Sequence, residues 1–292
     1  MNFLKRKSLQ FYLKFLSVFN FSDVTIAKVK YYYKTNDRLD LKNPVEFMEK
    51  ITWLKLFLYT ERYGYLVDKY EVRNYVENKI GKVYLNEIID VYDDVDEINI
   101  KELPQKFVLK GTHGSGYNII VPDKSLLDWE DAKKKLKKFL RKNYYYKYGE
   151  RIYKDIKPRI IAEEYLDQLG NDNIVDYKFY CFHGKSECIW VKTFHGDKHR
   201  NCYYSLDWKR IEYDTNAIDY LPKEMEKPSN LDEMIEVAEK LSKGFIFIRV
   251  DLYSIQGKIY FGELTFFPWG GNRRLTIEAL NKEYGDLMLL PI

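Results

Sequence analysis

Lys106-Phe107-Val108-Leu109-Lys110-Gly111-Thr112-His113-Gly114-Ser115-Gly116-Tyr117-Asn118-Ile119-Ile120-Val121 decides how this chain is read. An apolar run ends in a lysine, a glycine-rich loop follows, and a second apolar run closes it. Two β-branched, aromatic runs joined by a Gly cluster predict a strand pair with a flexible connection. Gly111, Gly114 and Gly116 carry no Cβ, so their N–H groups can approach an anion closely. With Lys110 at the strand edge, the loop is a candidate phosphate grip and a flap over the phosphates. Taken alone, the stretch serves equally as an ordinary hairpin with a Gly-rich turn.

Downstream, Trp129, Ala132, Leu136, Phe139 and Leu140 share one face of a helix over residues 126–141. Residues 143–155 are rich in Tyr and Lys without a period, and read as a surface loop and candidate lid. A strand over 159–166 carries Glu163 and Glu164. Strands over 175–182 and 187–193 flank a His183-Gly184 turn. A helix over 231–243, capped at Ser229 or Asn230, is stopped by Gly244. A second hairpin, 245–265, turns at Gln256-Gly257. The basic loop Trp269-Gly270-Gly271-Asn272-Arg273-Arg274 then leads into a last helix.

Upstream, Asn43-Pro44-Val45-Glu46 opens a helix with Phe47, Ile51, Leu54 and Leu58 at helical spacing. A second helix starts at Asp68 and ends at Gly81. The acidic loop 93–97 holds Asp94-Val95-Asp96, formally the pattern with which many sugar-nucleotide transferases hold a metal, although a solvated loop accounts for it as well. Antiparallel hairpins with flanking helices, and no regular β–α alternation, predict an α+β fold in two lobes with a boundary near 165–175.

A length of 292 residues suits one large or two modest domains, and 46% hydrophobic against 32% charged residues allows a real core. Net charge is only +4, from 48 basic and 44 acidic residues, which gives no basis for a nucleic-acid partner. Cys181, Cys188 and Cys202 have no metal spacing and fit a reducing, cytoplasmic compartment. No run of about eighteen apolar residues is present. Residues 1–21 are basic, then apolar, and Lys14 breaks their likeness to a signal peptide. They form either a helix packed on the body or a peripheral membrane contact at the inner face.

Charges on apolar strands mark where chemistry would live. Arg249 and Asp251 lie two apart on one strand of the second hairpin; Glu263 and Thr265 lie two apart on the other. Burying unpaired carboxylates costs several kcal/mol. Mg²⁺ between Asp251 and Glu263, completed by phosphate oxygens and water, removes that cost; an internal salt bridge from Arg249 does so too. Lys69, Lys110 and Lys178 are cations on otherwise apolar elements, as a triphosphate requires.

In order and spacing these motifs resemble the ATP-grasp superfamily and, more closely, the TupA-like ATP-grasp family, linked to teichuronopeptide, capsule and other surface-polysaccharide gene clusters. Carrying the resemblance are Val67-Asp68-Lys69-Tyr70-Glu71-Val72-Arg73, the opening stretch, Lys157-Pro158-Arg159-Ile160-Ile161-Ala162-Glu163-Glu164-Tyr165-Leu166, Asp176-Tyr177-Lys178-Phe179, Arg249-Val250-Asp251 and Gly262-Glu263-Leu264-Thr265. It runs over about residues 43–287. It implies an N-terminal helical segment (1–66) and two α+β lobes (67–166 and 167–292) whose antiparallel sheets grip ATP, with loop 111–118 in the first and hairpin 245–265 in the second. Lys110, Lys178, Gly114, Ser115 and Gly116 would hold phosphates; Glu163, Glu164, Tyr165 and Leu166 would read adenine and ribose. Asp251 and Glu263 would hold Mg²⁺, and Arg249 would neutralise charge at the transferring phosphoryl group. Thr265 stands where many ATP-grasp ligases place a metal-binding Asn, and a hydroxyl is the poorer ligand. Arg273 and Arg274 are candidates to grip an acceptor carboxylate.

The implied activity is a Mg-ATP-dependent carboxylate–amine ligase working through an acyl phosphate, with a uronic acid or amino acid as acceptor and an amine as donor. A glycosyltransferase of polysaccharide biosynthesis, supported by Asp94-Val95-Asp96, and an ATP-dependent phosphotransferase on the same fold are the alternatives.

Overall fold

The protein is described by a computed structural model over residues 22–167, 175–195, 198–211, 219–221, 223–275 and 277–292. Helices α1 (Asp23–Thr35), α2 (Phe47–Phe57) and α3 (Val72–Ile80) come first. Next follow β1 (Ile88–Tyr92), β2 (Phe107–Gly111), β3 (Asn118–Val121), α4 (Trp129–Leu140), α5 (Tyr144–Tyr148) and β4 (Ile160–Glu164). Strands β5 (Val175–Phe182), β6 (Lys185–His195), β7 (Lys198–Tyr204) and β8 (Arg210–Ile211) lead to α6 (Leu231–Ser242). The chain continues with β9 (Phe247–Ile255), β10 (Lys258–Thr265) and α7 (Glu278–Leu287).

Among the described residues the strands form a four-stranded sheet, order β1-β4-β2-β3, and a six-stranded sheet, order β10-β9-β5-β6-β7-β8. Every pairing between these strands is antiparallel, as the α+β expectation requires. Alternation puts Phe107, Leu109, Ile160 and Ala162 of the smaller sheet on one face, against Leu136 of α4. The larger sheet buries Phe179, Phe247, Ile248 and Val250 with Met234, Ala238 and Leu241 of α6 and Phe47, Ile51 and Leu54 of α2. Phe47 meets Phe247 edge-on at 5.0 Å. Val72 and Val76 of α3 belong to this second core, although α3 precedes the smaller sheet in the chain. Both predicted hairpin turns place their central pair at positive φ, His183 and Gly184 at 48° and 82°, Gln256 and Gly257 at 51° and 78°. That is the geometry matching strand twist.

Three local expectations shift. Helix α2 opens at Phe47, not near Pro44, because the Glu49 carboxylate takes the Val45 and Glu46 amides and closes a capping box on Glu46. Helix α3 opens at Val72, not Asp68, because Asp68 Oδ1 accepts from the Tyr70 and Glu71 amides and caps a preceding turn. Residues 143–155 are no loose lid: α5 and a 3₁₀ turn (Arg151–Tyr153) fill them, with the Tyr144 ring 4.2 Å from Tyr148 and 4.7 Å from Tyr153. Residues 1–21, with their membrane reading, and the loop at 170–173 lie outside the described residues. Among the described residues no helix is long and apolar enough to cross a membrane.

Candidate active site

On the larger sheet, register does the assembling. Trp190 on β6 opposes Lys178 on β5, Lys178 opposes Asp251 on β9, and Asp251 opposes Glu263 on β10. Arg249 opposes Thr265 in the adjacent row. Directly opposed residues share a face, so these side chains form one polar strip. Its last member depends on a bulge between Phe261 and Glu263. In an unbroken ladder Gly262 would take the place opposite Asp251, and Glu263 would oppose Val250 and point away. The bulge is tight: a Cβ on Gly262 would lie 3.0 Å from the Asp251 carbonyl oxygen.

Arg249 grips Asp251 two-fold, Nε to Oδ1 at 2.6 Å and Nη2 to Oδ2 at 2.7 Å, while Lys178 Nζ reaches Oδ2 at 2.5 Å. Lys178 also lies 3.2 Å from Asp176. Burial works against the Asp251 charge, yet Arg249 and Lys178 hold its carboxyl below the usual carboxylate range. The internal salt bridge foreseen as one of two readings is thus formed. Glu263 is different: its side chain is 41% exposed and lies 3.5 Å from Arg249. Thr265 Oγ1 accepts from Arg249 at 2.9 Å and donates to Glu263 at 3.1 Å.

These donors fit one hard divalent cation. Glu263 offers oxygen toward solvent, whereas both Asp251 oxygens are engaged by Arg249 and Lys178 and the Thr265 hydroxyl by Arg249 and Glu263. Among the described residues no three His, Cys, Asp or Glu side chains converge on a metal position. Phosphate oxygens and water would complete the shell.

The smaller sheet supplies the facing wall. Lys110 Nζ meets Glu163 at 2.5 Å from the neighbouring strand. Lys69 Nζ donates to the Gly114 carbonyl at 2.6 Å. Burial lowers the Lys69 pKa, and the charges acting on it are Glu263, Lys110, Asp68 and Glu163. Carboxylates from both sheets therefore act on one ammonium. Around it the glycine loop packs against aromatic rings. Tyr117 stacks on Phe139 at 4.9 Å and covers Gly111 and Gly114. Gly114 is buried, and only Ser115 and Gly116 at the tip are exposed. His113 is buried with Nε2 2.9 Å from the Phe139 carbonyl, so it faces α4, and burial lowers its pKa. A Cβ on Gly114 would lie 2.7 Å from Tyr117 Cε2 and 3.0 Å from Tyr144. Gly114→Ala is therefore expected to cost about 1–3 kcal/mol of stability, read from urea denaturation.

Glu164 is exposed at the end of β4, its carbonyl accepting from Asn86 at 2.8 Å. Tyr165 follows with Lys106 5.9 Å over its ring, and Leu166 is half-buried. The two arginines separate. Arg274 is committed to Glu46, with Nε to Oε2 at 3.1 Å, and to Glu278 at 3.2 Å. Arg273 instead joins Trp190, Lys192, His199, Asn201, Tyr203, Asp219 and Trp269 around a cavity of about 280 Å³. Sequence reading missed Trp190, Lys192 and Trp269. Trp190 and Lys192 do carry the i,i+2 signal on β6, but only the register with Lys178 and Asp176 gives it meaning. Asp94-Val95-Asp96 holds structure: Asp94 caps a 3₁₀ turn, and Asp96 pairs with Lys133 at 2.6 Å and Lys137 at 2.7 Å.

The loop behind Trp269 is held by α2. Lys55 Nζ donates to the Gly270 carbonyl at 2.5 Å, and Thr52 reaches that of Gly271 at 2.9 Å. Burial pushes the nearby Glu150 carboxyl up to about 7 and the Lys55 ammonium down to about 8, each charge partly supporting the other. Glu150 thus keeps a proton in the folded chain, between its ordinary 4.5 and about 7, that the unfolded chain releases. Stability from this group falls as pH rises through that window. Urea denaturation followed against pH is expected to show this decline, and Glu150→Gln to flatten it.

A glycine loop on one antiparallel sheet, facing a carboxylate hairpin on another across a shared lysine, is the ATP-grasp arrangement. The family model described as TupA-like ATP-grasp matches residues 49–289, and the chain belongs to that family. No curated protein sequence matches the chain. Among solved structures it is similar to the D-alanine–D-alanine ligase of Bacillus anthracis complexed with ATP, at 14% identity over 77% of this chain and 64% of that one, TM-score 0.44. It is also similar to the ATP-grasp ligase PsnB complexed with a minimal precursor, at 11% identity over 78% and 60%, TM-score 0.42. A third is the N5-carboxyaminoimidazole synthase of Aspergillus clavatus with ADP and its ribonucleotide, at 12% identity over 70% and 46%, TM-score 0.40. The chain spans less than two thirds of the length of each.

Proposed function

We propose that the chain is a Mg-ATP-dependent carboxylate–amine ligase of bacterial capsule or surface-polysaccharide biosynthesis, forming an amide on a uronic acid or amino acid. The observation that carries this is the strip of Lys178, Asp251 and Glu263 with Arg249, set across Lys69 from Lys110 and the glycine loop. ATP lies between the lobes 67–166 and 167–292, its phosphates on Lys69, Lys110, Lys178 and the tip of the loop. Residues 163–166 read the base. Glu263, with Asp251 beside it, would hold Mg²⁺, which would supply charge neutralisation at the phosphates. Arg249 stabilises charge on the transferring phosphoryl group.

A carboxylate oxygen of the acceptor bonds to the γ-phosphorus of ATP as the bridge to the β-phosphate breaks and ADP leaves. The amine nitrogen then bonds to the acyl carbon, phosphate leaves, and the nitrogen gives up a proton. The protein's share is positioning and electrostatics. With Asp96 paired to two lysines, the glycosyltransferase alternative loses the feature it rested on.

Incubation with ATP, Mg²⁺ and a panel of uronates, amino acids and amines tests this. Release of ADP and phosphate that depends on both acceptor and amine is expected. ADP with a stable phosphorylated product would mark a phosphotransferase. UDP released from a sugar nucleotide and untouched by Glu263→Gln would overturn the ligase.

A further inference from the structure

We infer that the cavity between β6, β7 and the Trp269 loop is the acceptor pocket, and that it takes a single acidic sugar ring. The inference rests on the ligase proposed above and narrows its acceptor from uronic acid or amino acid to the first. Position comes first. Trp190 and Lys192 on β6 line the cavity and directly oppose Lys178 and Asp176 on β5. The Trp190 ring lines the cavity and has the Arg249 guanidinium 5.7 Å over it. A carboxylate held at Lys192 is thus one strand from the Lys178 and Asp251 row, where a phosphoryl group would arrive.

Chemistry selects the class. Trp190, Trp269 and Tyr203 give aromatic faces, with Trp190 5.3 Å from Trp269 and near-parallel to Tyr203 at 6.1 Å. Such faces suit the C–H side of a sugar ring. Lys192 and Arg273 give two cations, the latter stacked 5.5 Å over Trp269. Burial lowers the Lys192 pKa, with Lys178 and Arg249 acting the same way and Asp176 and Asp251 against them. An α-amino acid would bring an ammonium beside the same two cations, with its counter-charge, Asp219, on the far side. Asn201, His199 and Asp219 occupy the far side, with Asn201 bridging the Trp190 indole at 3.1 Å and Asp219 at 2.9 Å; these groups can read hydroxyls. About 280 Å³ is small for a pocket and suits one ring rather than a chain segment.

The platform is also built under strain. Trp269 itself stands at φ 50°, followed by Gly270 at 65° and Gly271 at 71°. A bulky residue with positive φ is costly and persists where its surroundings dictate it, here through Thr52 and Lys55 of α2.

Tryptophan fluorescence and calorimetric titration of the full chain with D-glucuronate and D-galacturonate, against D-glucose and L-glutamate, test this, with MgATP binding measured on the same samples. A uronate is expected to bind in preference to both controls. Lys192→Met and Trp269→Ala are expected to weaken it by about tenfold or more, while Trp269→Phe retains it and MgATP binding stays unchanged. Preference for glutamate, equal binding of glucose, no uronate binding, or uronate binding indifferent to Lys192→Met and Trp269→Ala overturns the pocket while leaving the ligase standing. Absence of MgATP binding in the parent chain overturns the ligase itself.

Discussion

Glu263→Gln is expected to lower acceptor-dependent ATP turnover by about a hundredfold or more while leaving the denaturation midpoint essentially unchanged. The two halves of this expectation have separate causes. The Glu263 side chain is 41% exposed, and its contacts are a 3.1 Å hydroxyl and a 3.5 Å guanidinium. Glutamine keeps the shape and an oxygen for both, so the stability change stays within about 0.5 kcal/mol. What it loses is the negative charge turned toward solvent, the charge a divalent cation would need. A midpoint that falls together with activity would show Glu263 to be a structural partner of Arg249 instead. Parallel titration of MgATP binding completes the measurement: weaker dependence on Mg²⁺ is expected in the variant.

Asp251→Asn is expected to fail in both respects. Asp251 is 2% exposed and neutralises two buried cations, Arg249 and Lys178. Removing its charge leaves Arg249 to Glu263 at 3.5 Å and Lys178 to Asp176 at 3.2 Å, a loss of about 3–5 kcal/mol in urea denaturation. Arg249→Met on the same background should recover part of that loss, since the second cation then needs no partner. The acid limb of the parent follows from the same pair. The Asp251 carboxyl is held below its ordinary 3.8, so its stabilisation is present above that value and lost as pH falls through the lower folded value. An Asp251→Asn chain as stable as the parent would contradict the buried network.

The fold was legible because its signals are local. Lys110 before a glycine run, two two-residue turns at His183-Gly184 and Gln256-Gly257, and charges spaced i,i+2 on apolar strands each follow from a few neighbouring residues. What stayed hidden depends on pairing between distant strands. Glu263 reaches Asp251 only through the bulge at Gly262, and nothing in Gly262-Glu263-Leu264-Thr265 by itself announces one. Arg273 and Arg274 look alike in sequence, yet one turns to the cavity and the other to Glu46. Trp190 and Lys192 read as ordinary strand residues until β5 is laid beside them. The Tyr-rich stretch at 143–155 misled for the opposite reason. Its rings pack on each other, so a segment with no period still has a fixed shape.

The anchoring of the Trp269 loop to α2 has a consequence for anyone recombining related proteins. Lys55 and Gly270 are 215 positions apart, yet the carbonyls that shape the loop are fastened by a helix in the first fifth of the chain. The segment from Phe266 to Leu275 is therefore not a portable cassette. Transplanted alone into a relative, it would arrive without its fastenings, and the indole would swing away from where a ring is to lie. A chimera that exchanges specificity at this loop must carry Thr52 and Lys55 along with it as one inherited unit.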